Sequence, residues 1–150
     1  MNHDRYDDAW IAGLLTQVRT IAVVGASPRP DRPSHGVARY LAAAGYQVFA
    51  INPGQAGRAI AGLPTFAHLA DVPVPVDMVD VFRASEYVAE VVGQALALRP
   101  LPKLIWTQLG VRDDAAAARA EAAGVHMVMN RCPAIEIPRL GLDPSKFTAL

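Results

Sequence analysis

The chain has 150 residues, 52% of them apolar, and its Lys plus Arg balance its Asp plus Glu at 14 each. That length and apolar share suit one domain with its own core and exclude global disorder. The neutral balance offers no bulk attraction for nucleic acid or an anionic membrane, and a lone cysteine, Cys132, excludes an internal disulfide framework. The N-terminus MNHDRYDDAW is acidic and lacks a signal peptide's basic-then-apolar build, and no apolar run is long enough to span a membrane. The expectation is a cytoplasmic protein. No residues have zinc-site spacing, and of the 14 basic residues only Lys103 and Lys146 are lysine.

Trp10, Ile11, Leu14, Leu15 and Val18 recur at helical spacing, so an N-terminal helix is expected within residues 1–19. Residues 21–25 read as a buried strand ending at Gly25. Ser34 is expected to cap the next helix, whose apolar stripe is Val37, Tyr40, Leu41 and Ala44 and whose stop is Gly45. Residues 47–51 form a second strand, halted by Asn52-Pro53 because a residue before proline avoids helical geometry. The proline-punctuated stretch 63–75 connects, with Phe66 and Leu69 tucking a turn against the core. Residues 76–82 (VDMVDVF) are the third strand, and a helix capped by Ser85 runs to residue 98. Residues 103–107 are the fourth strand. A helix begins at Asp113-Asp114 and ends at Gly124, and residues 125–129 are the fifth strand. The tail, residues 133–150, reads as irregular, with a short turn near residues 134–137.

Strands alternating with helices predict an α/β fold with a five-stranded parallel sheet covered on both faces and ligands at the strands' carboxyl edge. The loops at that edge are informative. The first strand is followed by IAVVGASPRPDRPSHG, the strand–glycine turn–helix layout that holds phosphate. The next glycine after Gly25 is Gly36, so the dinucleotide fingerprint G-x-G-x-x-G is missing, and Asn52-Pro53 stands where an acidic residue would hold a ribose. Every strand exit has an arginine nearby: Arg29 and Arg32, Arg58, Arg83, Arg112, Arg131. Guanidinium forks and helix N-termini suit a ligand with several phosphates. The acids cluster in the N-terminal segment or near strand entrances, with Asp31 and Asp80 as exceptions.

Read in order, the segments VVGAS (23–27), RPSHGVARYL (32–41), GYQV (45–48), INP (51–53), DMVDVFR (77–83), WTQLGV (106–111) and NRCPAIE (130–136) resemble a known family. It is that of the small stand-alone CoA-binding proteins of bacteria, related to the CoA-binding domain of the succinyl-CoA synthetase α subunit. The likeness covers about residues 20–140. It implies a Rossmann-like fold and a coenzyme A or acyl-CoA ligand. Phosphate and adenosine contacts would then fall on Gly25, Ala26 and Ser27, on the loop with Arg29, Arg32 and Ser34, and on Asn52 and Pro53. The rest of the ligand would meet Phe82, Arg83, Trp106 and Gln108. The family usually has an aspartate where this chain has Asn130. No room exists for the synthetases' second domain, so ligase activity is not carried over.

The individual residues keep more than one role each. Ser27 and Ser34 bind phosphate or shape the turn and cap the helix. Trp106 stacks on the ligand or packs in the core. Cys132 is a small buried thiol, a nucleophile, or a partner for the ligand's thiol in a mixed disulfide. Asp77 and Asp80 lie on opposite faces of a strand and make a poor catalytic pair. The leading expectation is a binder without chemistry of its own. The rivals are an NADP-binding reductase-like protein and a regulatory subunit that presents acyl-CoA to another enzyme. A protein partner and a homo-oligomer both stay open.

Overall fold

The central strands are short runs of mostly β-branched and small residues, buried at nearly every position. In the computed structural model, which describes residues 1–149, the strands are β1 (Thr20–Val24), β2 (Gln47–Ile51), β3 (Ala59–Ile60), β4 (Leu63–Phe66), β5 (Met78–Val81), β6 (Leu104–Thr107) and β7 (His126–Val128). Residue 150, the end of the predicted tail, lies outside the described residues. The strands form one sheet of 7, ordered β3-β4-β2-β1-β5-β6-β7. Every neighbouring pair is parallel except β3 with β4.

The expected strand count of five is therefore corrected to 7. The additional pair is a hairpin in the stretch expected only to connect. Its two-residue turn, Ala61-Gly62, has φ of 53° and 77°, the positive values that a tight hairpin of this twist requires. Thr65 and Phe66 of β4 then pair with Ala50 and Ile51 of β2, and Phe66 lies 5.8 Å from Phe49.

The helices are α1 (Asp8–Thr16), α2 (Pro33–Ala44), α3 (Val88–Leu96), α4 (Asp114–Ala122) and α5 (Pro133–Arg139). Asp7 and Asp113 cap α1 and α4 by accepting from Ala9 and Ala116 amides. Ser34 does not cap α2. Arg32 occupies that place by its extended backbone and Pro33 fills the first turn, where no amide donor is needed. Ser85 likewise is no helix cap: it opens a 3-10 turn before α3, and its hydroxyl accepts from the Arg112 amide. The tail is not irregular at its start. Pro133 is tolerated at the first helical position, so α5 forms where two prolines argued against it.

Alternation along the strands divides the interior in two. Ile21, Val23, Met78, Leu104, Trp106 and Val128 face α1, α2 and α5. Ala22, Val24, Val79, Val81, Ile105 and Met127 face α3 and α4. Full burial of each Val, Leu or Ile side chain contributes about 1.5–3 kcal/mol.

The N-terminal segment lies against the β7 side of the sheet. The Tyr6 hydroxyl accepts from the Met129 amide at 2.9 Å, and the Tyr6 ring stacks on Trp10. Buried His3 bonds the same hydroxyl and the Glu121 carboxylate at 2.6 and 2.8 Å. No helix among the described residues is long and apolar enough to cross a membrane.

Candidate functional site

The chain winds from β1 to β2 on one side and returns to β5 on the other side of β1. A crevice opens at such a reversal, beyond the carboxyl ends of the strands. Gly25 stands there with φ 82°, and a Cβ on it would lie 2.8 Å from the Phe82 carbonyl oxygen. Both facts demand glycine. The Gly25 and Ala26 amides donate to the Ile51 carbonyl, tying the turn to β2. Ser34 Oγ accepts from the Ser27 amide at 3.0 Å, and Ser27 Oγ accepts from the Arg29 amide at 3.2 Å. The loop is thus folded back onto the start of α2, whose Pro33, Ser34 and Val37 face the crevice.

Two hollows flank the Gly25 turn and share Gly25, Ser27 and Arg83. The larger has a volume of about 630 Å³ and is also lined by Arg29, Arg32, Ser34, Phe82 and Gln108. The smaller, about 400 Å³, adds Ala26, Asn52 and Pro53, with His68, Glu90 and Gln94 on its far wall. Asn52 Nδ2 donates to the Ala26 carbonyl at 2.8 Å while its Oδ1 accepts from Gly54, so this side chain braces the turn.

The structure therefore brings together every residue expected at the site except Trp106. That indole is fully buried on the strand face beneath α5, and its Nε1 donates to the Arg131 carbonyl at 2.8 Å. Packing is its role here. A side chain one position earlier or later on β6 would have faced the other way.

The arginines also sort themselves. Arg29, Arg32 and Arg83 line the larger hollow, Arg29 paired with Asp31 and Arg83 lying 4.1 Å above the Tyr87 ring. Arg112 is committed to Asp4 and Asp114, so the N-terminal acids do reach the carboxyl edge. Arg131 is committed to Glu136 and the Tyr6 ring. Arg112, Arg131 and Arg58 line neither hollow, so three of the strand exits contribute no cation to the site.

At the β6 end of the larger hollow the lining changes to Gln108, Leu109, Val111 and Cys132. Gln108 Nε2 donates to Asp80 Oδ1 at 2.9 Å, beneath the surface. Asp80 is fully buried, and its Oδ2 has no hydrogen-bond partner among the described residues. Burial pushes its carboxyl up to about 8, against a smaller lowering by Gln108. Sequence reading set this residue aside; an acid in the middle of the apolar run VDMVDVF was the signal to follow. Burial also pushes the Cys132 thiol up, so it is not the thiolate a nucleophile needs. Asn130 has φ 57° and its Oδ1 accepts from the Gly110 amide at 2.6 Å. Asparagine keeps the acceptor that an aspartate would supply and tolerates the left-handed backbone. Among the described residues no cluster of His, Cys, Asp and Glu could hold a metal ion.

A mostly parallel sheet that reverses its winding at a glycine turn, with helices on both faces, defines a Rossmann-like α/β protein. The chain belongs to the CoA binding domain family, whose model matches residues 19–138. It is 33% identical over 124 residues to the uncharacterized protein YneT of Bacillus subtilis (strain 168), covering 83% of this chain and 89% of that one. A solved structure from Thermus thermophilus shares 38% identity, with a TM-score of 0.83 over 90% of this chain and 99% of that one. The fold also recurs in a dinucleotide forming acetyl-coenzyme A synthetase 1 from Ca. Korarchaeum cryptofilum, at 22% identity and a TM-score of 0.61, over 76% of this chain and 26% of the synthetase.

Proposed function

We propose that this protein binds coenzyme A or acyl-CoA across the Gly25 turn and performs no chemistry of its own on it. The observation that carries the reading is the pair of hollows meeting at Gly25, one with Arg29, Arg32 and Ser34 and the other with Asn52 and Pro53. The first suits phosphate groups, with guanidinium donors beside the start of a helix. The second suits an adenosine, walled by Ile51, Val91 and polar side chains. The pantetheine arm then follows Phe82 and Ala84 toward Gln108. The family match and the fold shared with a CoA-utilising synthetase support the same ligand. The raised Cys132 thiol supports binding without covalent chemistry.

Calorimetric titration with CoA, acetyl-CoA, NAD and NADP tests this. Binding is expected for the CoA species alone. Tight NADP binding without CoA binding would overturn it. Arg32 is exposed at the cleft mouth and has no ion-pair partner among the described residues. Arg32→Ala is expected to weaken CoA more than dephospho-CoA, which places Arg32 on the ribose phosphate; equal weakening places it on the diphosphate.

A further inference from the structure

The larger hollow is polarised along its length, and that polarity has a bearing on which acyl group the ligand carries. Arg29 and Arg32 line the hollow from the loop after β1, and Arg83 from the exit of β5, between β1 and β6. The β6 end holds Gln108, Leu109, Val111 and Cys132 and no cation. Two arginines adjoin this end in sequence: Arg112 is paired with Asp4 and Asp114, and Arg131 is turned to Glu136 and to the Tyr6 ring, 5.0 Å from its centroid. Beneath this end lies Asp80, fully buried, with Oδ1 held by the Gln108 amide and Oδ2 without a hydrogen-bond partner among the described residues. The hollow's floor is therefore backed by a buried carboxyl group that supplies no positive charge.

From this we infer that the β6 end of the cleft is a selectivity site that accepts a free thiol or a short neutral acyl group and rejects an acyl group bearing a carboxylate. The inference rests on the proposed CoA binding, with the phosphates at the arginine end. A carboxylate brought to the β6 end would lose water and meet no guanidinium or ammonium group. An acetyl or propionyl group pays no such cost and gains contact with Leu109 and Val111. Gln108 supplies a fixed amide at the junction, its orientation set by Asp80, so Asp80 is a positioning residue and touches no ligand.

The test is calorimetric titration of the full chain with CoA, acetyl-CoA, succinyl-CoA and malonyl-CoA. CoA and acetyl-CoA are expected within about threefold of each other, and the two carboxylated thioesters about tenfold weaker or worse. Leu109 is 59% exposed at the rim, so Leu109→Arg leaves the core intact. It removes the Leu109 contact from both acyl groups and is expected to tighten succinyl-CoA about fivefold relative to acetyl-CoA. Equal wild-type affinity for succinyl-CoA and acetyl-CoA overturns the selectivity and leaves CoA binding standing. An unchanged ratio of succinyl-CoA to acetyl-CoA affinity in Leu109→Arg also overturns it, because the acyl end then lies elsewhere. Failure of every CoA species to bind the wild-type chain overturns CoA binding itself, and the selectivity with it.

Discussion

Beneath α3 and α4 the sheet packs Val79, Val81, Ile105 and Met127 against helical valines and alanines. Beneath α1, α2 and α5 the same strands bury the Asp80 carboxyl, the Trp106 indole and the Cys132 thiol among their apolar neighbours. One face is built for cohesion. The other gives up some cohesion because the cleft opens above it, and polar groups there are held by specific partners or left without one. Burying a polar group costs free energy unless it is hydrogen-bonded, so such groups collect where a ligand site needs them.

The contrast is broken most severely by moving the carboxyl across the sheet. Val79→Asp puts one on the apolar face, one residue before Asp80, where no amide waits for it. A loss of about 4 kcal/mol or more, or failure to fold, is expected. Urea unfolding followed by circular dichroism reads it, and a loss under about 1 kcal/mol would show that the two faces tolerate charge alike.

Next comes the pH dependence that Asp80 imposes. Its carboxyl is raised from 3.8 to about 8 in the folded chain. The folded state therefore holds a proton that the unfolded state has released, and stability falls as pH rises through that interval. The stability is complete below about pH 4 and spent above about pH 8. Thermal unfolding between pH 5 and 9 is expected to show a fall on the order of a few kcal/mol in the wild type, and a flatter profile in Asp80→Asn. Parallel profiles would place the titration on another group.

Trp106→Phe keeps the ring and removes the donor to the Arg131 carbonyl. A loss of about 1–2 kcal/mol is expected, with CoA affinity unchanged, since an unsatisfied carbonyl is costly and the indole is out of reach of the cleft. Weakened CoA binding would return Trp106 to the site. The smallest effect belongs to Asp8→Asn, which removes an exposed ion pair between α1 and Arg139 of α5. The unfolding midpoint is expected to stay within measurement error; a clear drop would mean that this pair helps fasten the helices over the polar face.

Much of this was readable beforehand because local signals agreed with tertiary ones. Parallel strands buried on both faces are continuous apolar runs, and Gly25, Gly45 and Asn52-Pro53 punctuate them where the chain must turn. The turn-and-arginine site followed from the order of those runs. The β3–β4 hairpin did not, since strands this short carry little pattern and Ala61 is not the residue such a turn prefers. The start of α5 was hidden by Pro133, which the first-turn position excuses. Whether Trp106 faced a ligand depended on which side of β6 lies under a helix the sequence did not announce. Asp80 was placed on the correct strand, but its burial and its bond to Gln108 arise from residues 28 apart.

The Tyr6 hydroxyl on the Met129 amide has a consequence for association. A sheet's outermost strand offers unpaired backbone groups on which a strand from another molecule can template. Here a phenol occupies one such donor just past β7, and aromatic rings stacked behind it stand in the incoming strand's path. At the opposite border the outermost strand is only 2 residues long. Both borders thus resist edge-to-edge polymerisation, one by a cover and the other by brevity.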